Sequence, residues 1–184
     1  MKIAIYGYSG SGKSTLAKRL GSCYGVPVLH LDTVQFLPGW KKRDNDEARG
    51  IVAGFMQQPG WVIEGNYKRY LQKERFEAAD QIIFLSFARI PCLIRAYRRF
   101  FKNRNRCRDD MGAGCIEKMD LQFTWWLLYQ GRTKTVRQHH QSIQARYPGK
   151  CIVIKNQRQL DRFAANPDLA FRAVRGERRN HANE

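Results

Sequence analysis

The chain has 184 residues, and its 33 Lys and Arg against 16 Asp and Glu give a formal net charge of +17. An apolar share of 43%, with 12% aromatic residues, excludes wholesale disorder. The longest apolar runs reach less than half of the ~20 residues that a membrane-spanning helix needs, so we expect no such helix and no membrane partner.

One domain is expected over residues 1–172, because a chain of this length can bury roughly 70% of its unfolded surface around a single core. Residues 173–184 are polar and charged, which predicts a frayed tail. Glycines and then Lys13 interrupt the first apolar run before a signal peptide could form. The five cysteines are widely spaced, which is typical of reduced thiols, and together these features predict a cytoplasmic protein.

Short runs rich in Val, Ile, Leu and aromatic residues alternate with helical patterns along the chain. Five runs predict buried strands, at residues 2–6, 26–31, 61–64, 81–87 and 151–155. Apolar spacing predicts helices at residues 13–20, 90–102 and 116–147, the last bent near Gly131. Strands that alternate with helices predict an α/β fold, with parallel strands joined by helical crossovers.

The strongest motif is the segment GYSGSGKS at residues 7–14, which satisfies the pattern G-x-x-x-x-G-K-[ST]. Its glycines let backbone N–H groups curl around phosphates, its lysine meets the outer phosphates, and the Ser14 hydroxyl can ligate Mg²⁺. A predicted strand precedes the loop and a predicted helix follows it, as the motif requires. The candidate nucleotide-binding residues are Gly7, Ser9, Gly10, Ser11, Gly12, Lys13, Ser14 and Thr15, with Ser14 as the metal ligand.

A phosphate loop alone does not separate a kinase from other nucleotide-dependent proteins. The Asn-Lys-x-Asp base reader that is usual in GTPases does not occur in the sequence, and the chain is short for a motor ATPase. The leading interpretation is therefore a small-molecule kinase that uses ATP and Mg²⁺.

Two carboxylates directly follow predicted strands. Asp32 follows the run that ends at Leu31, and Glu64 ends the run 61–64. Residues just past the carboxyl ends of parallel strands line the ligand crevice. There they could orient an acceptor hydroxyl, accept its proton, or hold Mg²⁺ through water. The alternative is that each carboxylate only forms a turn or caps the next element.

The segment 95–108 holds seven basic and no acidic residues, so a large share of the net charge lies within it. As a lid, its arginines would close over ATP and stabilise the charge on the transferred phosphoryl group. As a nucleic-acid patch, they would track a phosphate backbone. A third interpretation is a solvated helix face followed by a polar loop. The downstream aromatics Trp125, Trp126 and Tyr129 are interpreted as core or lid packing rather than as a platform for stacked bases.

Several motifs in the same order resemble one known group. They are the phosphate loop, His30-Leu31-Asp32 with Pro38-Gly39-Trp40, the stretch from Trp61 to Tyr67 (WVIEGNY), the stretch from Ala79 to Leu85 (ADQIIFL), Arg108-Asp109-Asp110-Met111 and Gly114-Cys115-Ile116-Glu117. They resemble the bacterial DNA topology modulation proteins, which belong with the adenylate kinase-like P-loop proteins. The likeness covers residues 2–165.

This resemblance implies a three-layer P-loop NTPase fold of the nucleotide-kinase type, with a five-stranded parallel sheet and an inserted helical, basic lid. It implies that Glu64 lies near Mg²⁺ and the acceptor, that Arg95 with Arg98 or Arg99 contacts the nucleotide, and that Asn156 lies near the adenine. The chain departs from the pattern at Glu64, where an Asp is usual, and at residues 86–89, where an Asp and a Pro are expected. The lid is expected at about 95–118 and the acceptor region at about 33–60.

The sequence thus favours a Mg-ATP-dependent kinase for a nucleoside, a nucleotide or another small molecule, with an acceptor that no motif identifies. The candidate catalytic residues are Lys13, Asp32, Glu64, Arg95 and Arg99. The alternative is a regulator that uses ATP as a switch and binds DNA or RNA through residues 95–108.

Overall fold

The fold is described here from a computed structural model, which covers residues 1–103, 111, 114–115 and 119–181, with side chains to residue 174. Its strands are β1 Lys2–Gly7, β2 Val28–His30, β3 Phe36–Leu37, β4 Lys41–Lys42, β5 Trp61–Glu64, β6 Gln81–Leu85 and β7 Cys151–Ile154. Its helices are α1 Lys13–Tyr24, α2 Leu31–Gln35, α3 Asn45–Met56, α4 Gln72–Ala78, α5 Arg89–Lys102, α6 Leu121–Leu128, α7 Lys134–Arg146, α8 Gln157–Ala165 and α9 Pro167–His181.

Five of these strands form one parallel sheet in the order β2-β5-β1-β6-β7. Four lie within runs that the sequence predicted as strands, and β1 extends one residue beyond its predicted run 2–6, to Gly7. β1 is central and pairs with β5 on one side and β6 on the other. Because all five strands run the same way, their carboxyl ends share one edge of the sheet, which is where β1 leads into the phosphate loop.

Helices cover both faces of the sheet, and β1 shows this residue by residue. Ile3 and Ile5 pack into one buried cluster with side chains of α1, α5, α6, α8 and α9. Ala4 and Tyr6 pack into a second cluster with side chains of α2, α3, α4 and α7. Successive residues of a strand point to opposite faces, so both faces are buried. This confirms the three-layer α/β fold of the nucleotide-kinase type.

The region between β2 and β5 contains structure that the sequence did not predict. A short antiparallel hairpin pairs β3 with β4, and α3 follows it. The side chain of Asp44 caps α3 by accepting hydrogen bonds from the N–H groups of Asp46 and Glu47. This region coincides with the expected acceptor region, residues 33–60.

The helix predicted over residues 116–147 is interrupted as expected near Gly131. The structure has α6, a 3₁₀ turn at Gln130–Arg132 and then α7, while residues 116–118 lie outside the described part. Helix α9 carries the backbone of the segment predicted as a tail as far as His181. No helix in the described ranges is long and apolar enough to cross a membrane.

Truncation of Ile83, which is fully buried on β6, tests the position of the core. Ile83→Ala should lower the free energy of unfolding by about 2 to 5 kcal/mol, since it removes apolar contacts and leaves a cavity. The matched control is Ile90→Ala, because Ile90 is 60% exposed on α5 and should change stability by less than about 1 kcal/mol. Urea denaturation of both variants measures the difference, and equal losses would contradict this core.

Candidate active site

The phosphate loop is shaped by glycines in a conformation that other residues rarely adopt. Gly7, Gly10 and Gly12 have φ values of +144°, +74° and +97°. A Cβ atom at Gly10 would lie 2.3 Å from the carbonyl oxygen of Cys92, in the first turn of α5. The loop therefore passes against α5 with no room for a side chain, and it enters α1 with Gly12 as the N-terminal cap residue.

Neighbouring elements hold the loop by hydrogen bonds to its backbone. The side chain of Asn66, just after β5, bonds both to the N–H of Gly7 at 3.0 Å and to its carbonyl at 2.8 Å. Arg95 of α5 donates to the carbonyl of Ser11 at 3.0 Å. Lys13 Nζ donates to the carbonyl of Tyr8 at 3.2 Å, so the lysine lies over the loop. These bonds hold the backbone of the phosphate loop in place beside the start of α1.

Glu64 lies buried at the centre of this edge, with 2% of its surface exposed. Ser14 Oγ donates to Glu64 Oε1 at 2.9 Å, and His30 Nδ1 lies 2.9 Å from the same oxygen. The sheet order β2-β5-β1 makes this possible, because it places the end of β2, the end of β5 and the start of α1 side by side. The structure thus brings the expected metal ligand Ser14 into contact with Glu64.

This donor set fits a magnesium ion that arrives with a nucleotide. The described residues contain no group of three or more His, Cys, Asp or Glu side chains able to hold a metal by themselves. Mg²⁺ usually takes one or two protein oxygens and completes its shell with phosphate oxygens and water. The Ser14 hydroxyl and the Glu64 carboxylate provide such oxygens at the phosphate loop.

Asp32 is the second residue of the short helix α2, which follows β2, and it is half-buried. Tyr67 donates its phenolic hydrogen to Asp32 Oδ1 at 2.6 Å. Burial, followed by the charge of Asp32, raises the pKa of Tyr67, so the phenol stays protonated and keeps donating. The bond holds the carboxylate in one place at the wall of the cavity.

Arg95 links the phosphate loop to α8. Beside its bond to Ser11, it donates to Gln157 Oε1, and its guanidinium lies 4.2 Å from the ring centre of Phe87. Burial lowers the pKa of Arg95, but an arginine guanidinium remains charged at neutral pH. A fixed cation therefore lies beside the loop in the folded protein.

A cavity of about 800 Å³ connects these groups. Its lining includes most of the residues that the sequence singled out, namely Ser9, Gly10, Ser11, Gly12, Lys13, Ser14, Thr15, Asp32, Glu64, Arg95 and Arg99. Three candidates are not part of that lining: Gly7, which pairs with β6, Arg98, which is exposed on α5, and Asn156, which caps α8. Residues 104–110 of the expected lid lie outside the described residues.

Further cavity residues were not identified as site residues from the sequence. They include Arg19, Phe36, Trp40, Tyr67, Phe123, Trp126, Gln157 and Asp161. The WVIEGNY stretch already contained Tyr67, but its contact with Asp32 spans 35 residues and no local pattern signals it. Phe36 of β3 and Trp40 of the turn before β4 meet edge to face with ring centres 5.1 Å apart, and both line the cavity.

The interpretation of Trp125, Trp126 and Tyr129 as core or lid packing is wrong in its assignment to the core. Trp125 is 55% exposed and Tyr129 50% exposed, while the buried residue of α6 is Leu127. Helix α6 is apolar on all sides, and only the side that meets α5 and the sheet can be covered. Trp126, 40% exposed, lines the cavity and stacks on Phe123 with ring centres 5.9 Å apart.

No protein-family model and no curated protein matches the chain, so the resemblance to DNA topology modulation proteins is not confirmed. Solved structures do match it. A shikimate kinase from Acinetobacter baumannii in complex with shikimate is 13% identical with a TM-score of 0.51, covering 94% of this chain and 93% of that one. The Thermus thermophilus protein TT1252 is 16% identical with a TM-score of 0.53, covering 92% and 96%.

A shikimate kinase from Bacteroides thetaiotaomicron is 13% identical with a TM-score of 0.50, covering 94% of this chain and 98% of that one. Identities this low establish the fold alone. The comparisons therefore support the same conclusion as the sheet order and the glycine loop: this is an α/β fold shared with P-loop small-molecule kinases.

The contact between Gly10 and α5 can be tested by adding a methyl group. Gly10→Ala should destabilise the protein more than Gly25→Ala, which is the matched control. Gly25 follows α1 as its C-terminal cap at φ +60°, and an added Cβ there meets no atom within 4 Å. Gly25→Ala should therefore lower the free energy of unfolding only through backbone strain, by about 1 to 2 kcal/mol. Gly10→Ala should cause similar backbone strain and, in addition, a steric clash with the Cys92 carbonyl oxygen. Thermal or urea unfolding would contradict this packing if both variants lost the same stability.

Proposed function

We propose that this protein is an ATP- and Mg²⁺-dependent phosphotransferase that acts on a small hydroxyl compound, in the manner of nucleoside, nucleotide or other small-molecule kinases. One observation carries the proposal. A single cavity is lined by the phosphate loop with Lys13, by the two carboxylates Asp32 and Glu64, and by the cations Arg95 and Arg99. Phosphoryl transfer needs these parts together: a phosphate cradle, a group that positions the acceptor, and positive charge for the transition state.

The nucleotide would bind at the loop, with its phosphates against the N-terminus of α1 and the backbone N–H groups of residues 9–15. Anions bind there because the first N–H groups of a helix are free and its dipole is positive. Lys13 would neutralise the transferred phosphoryl group. Ser14 would ligate Mg²⁺ with Glu64 beside it, and the ion would neutralise phosphate charge and fix the phosphate geometry. His30 positions Glu64 through the bond to Oε1.

The acceptor would bind on the side of the loop where Asp32 and Tyr67 meet. Asp32 would receive a hydrogen bond from the acceptor hydroxyl and take its proton as the hydroxyl oxygen bonds to the γ-phosphorus, while the bond from that phosphorus to the bridging oxygen breaks and ADP leaves. Tyr67 keeps the carboxylate in place. Phe36 and Trp40 would pack against the body of the acceptor, within the expected acceptor region of residues 33–60.

The cations of α5 would complete the site. Arg95 and Arg99 line the cavity and would stabilise charge on the phosphates, and residues 95–118 would close as a lid that excludes water. Arg98 and Asn156 lie next in sequence to the lining residues Arg99 and Gln157, and their contacts with the nucleotide remain predictions. We place this activity in one domain, residues 1–172.

A second function has one observation in its favour. Phe101, Trp125 and Tyr129 are at least half exposed on α5 and α6, where the cations Arg98 and Lys102 also lie. Exposed aromatic rings beside cations suit a strand of DNA or RNA, whose bases stack and whose phosphates pair. This supports the alternative of an ATP-switched regulator, which the resemblance to DNA topology modulation proteins also suggests.

Replacement of Lys13 tests the proposed activity. Lys13→Ala should abolish ADP release in a screen of nucleosides, nucleotides and small hydroxyl compounds, and should weaken Mg-ATP binding at least about tenfold, because it removes a charged phosphate contact. Lys73→Ala is the control, since it removes an exposed lysine of α4 outside the cavity. Calorimetry measures the affinities, and an unchanged affinity and rate in Lys13→Ala would refute the proposal.

Salt dependence tests the alternative. If nucleic acid binds the surface of α5 and α6, gel-shift affinities should fall steeply between 50 and 200 mM salt, as they do for proteins that make several phosphate contacts. The double variant Arg98→Ala/Lys102→Ala should bind more weakly and with a shallower slope. Absence of binding at low salt would rule the alternative out while leaving the kinase proposal intact.

A further inference from the structure

A second, smaller cavity of about 220 Å³ adjoins the first. Ser9 of the phosphate loop and Trp126 of α6 line both cavities, so the two share a wall. The rest of the lining comes from Tyr8, Asn66, Lys68, Leu127, Gln130, Gly131, Arg132, Thr135, Val136, His139 and His140. The space is too small for a whole drug-sized ligand, which needs at least about 300 Å³, but it can hold one group of a ligand.

The charges around this cavity have one sign. Lys68, Arg132 and two histidines line it, and the lining residues that the structure describes include no Asp or Glu. Burial, and then the charges of His139, Lys13, Lys68 and Arg132, lower the pKa of His140 to about 4. Burial also lowers the pKa of His139, so the positive charge of this wall comes from Lys68 and Arg132. No carboxylate among the described lining residues balances it.

Arg132 is a fixed part of this wall. It is 8% exposed, it donates to the carbonyl of Phe87 at 2.8 Å and to Cys92 Sγ at 3.2 Å, and its guanidinium lies 3.8 Å from the ring centre of Tyr8. Its Nε has no hydrogen-bond partner, and no carboxylate of the described ranges pairs with it. A buried cation is costly unless an anion or several hydrogen bonds compensate it.

His140 is the other residue of this lining with a buried polar atom that lacks a hydrogen bond. It is 6% exposed among Tyr6, Tyr8 and Phe84, and its Nδ1 has no partner within the described part of the chain. A purely structural role would account for the bonds of Arg132 to Phe87 and Cys92. It does not account for Lys68, an exposed lysine at the same cavity.

We infer that the second cavity receives a carboxylate or phosphate group carried by the phosphoryl acceptor. The inference deepens the proposed function and rests on it. The acceptor, rather than the nucleotide, is indicated by position: Lys68 follows Tyr67, which contacts Asp32, whereas no residue of α8 lines the second cavity. The acceptor class is then a hydroxyl compound with a negative charge, such as a hydroxy acid or a phosphorylated alcohol.

Direct binding is tested with inorganic phosphate. The phosphate loop is first saturated with a non-hydrolysable ATP analogue and Mg²⁺, so that added phosphate cannot bind there. Phosphate should then shift the ring-nitrogen NMR signals of His139 and His140. The variant His139→Gln, which lacks one of the two rings, shows which signals belong to His139. Lys68→Ala should weaken this binding on the order of tenfold by removing one nearby charge, and Lys68→Glu should abolish it. Lys73→Ala should leave it unchanged. Equal titrations in wild type and Lys68→Glu, or no shifts at all, would overturn the inference.

The source of the anion is tested by kinetics. Acceptors that carry a carboxylate or phosphate should release ADP faster than neutral analogues with the same hydroxyl group. Lys68→Ala should raise the KM for the charged acceptor about tenfold, with kcat and the KM for ATP within about twofold of wild type. If phosphate binds at the cavity but charged and neutral acceptors react equally, the cavity holds a free anion and the acceptor assignment is overturned.

Different experimental results would refute the proposed kinase function and the proposed anion-binding role of the second cavity. If Lys13→Ala leaves Mg-ATP binding unchanged, the proposed function fails while the phosphate titration still reports on the cavity. If ATP binds and is turned over but phosphate does not perturb the two histidines, only the inference fails.

Discussion

The carboxylate of Glu64 is buried, and its Oε1 accepts a hydrogen bond from Ser14 and lies 2.9 Å from His30 Nδ1. A buried carboxylate is costly without such partners, so these contacts constrain how three elements meet. The end of β2, the end of β5 and the start of α1 must lie together, and the order β2-β5-β1 provides that arrangement. The geometry of the candidate active site depends on this junction.

The phosphate loop meets a second constraint on its other side. Gly10 lies against the first turn of α5, so the loop is enclosed between the Glu64 junction and that helix. Arg95 joins the same helix to the loop and to α8. Under the proposed function, this one loop would hold the nucleotide side and the acceptor side of the cavity together, which is what in-line transfer between two bound molecules requires.

Much of the fold follows from local patterns. Short β-rich runs marked all five strands of the sheet, and the glycine motif marked the loop, because each depends on residues close in sequence. Asp32 and Glu64 could be placed at the sheet edge, since the ends of the β-rich runs can be recognised in the sequence. The Tyr67–Asp32 bond, the burial of Arg132 and the exposure of Trp125 could not be predicted, because they depend on distant segments meeting in three dimensions.

The central claim is that the cavity transfers a phosphoryl group from ATP to a small molecule. The most direct measurement follows the γ-phosphate itself: the protein is incubated with Mg²⁺, ATP labelled at the γ-position and pools of small hydroxyl compounds, and the products are separated. The account predicts label in an organic product, with an excess of anionic acceptors among the active pools. The account would be contradicted if, with every pool, the label were found only in inorganic phosphate or stayed entirely in ATP.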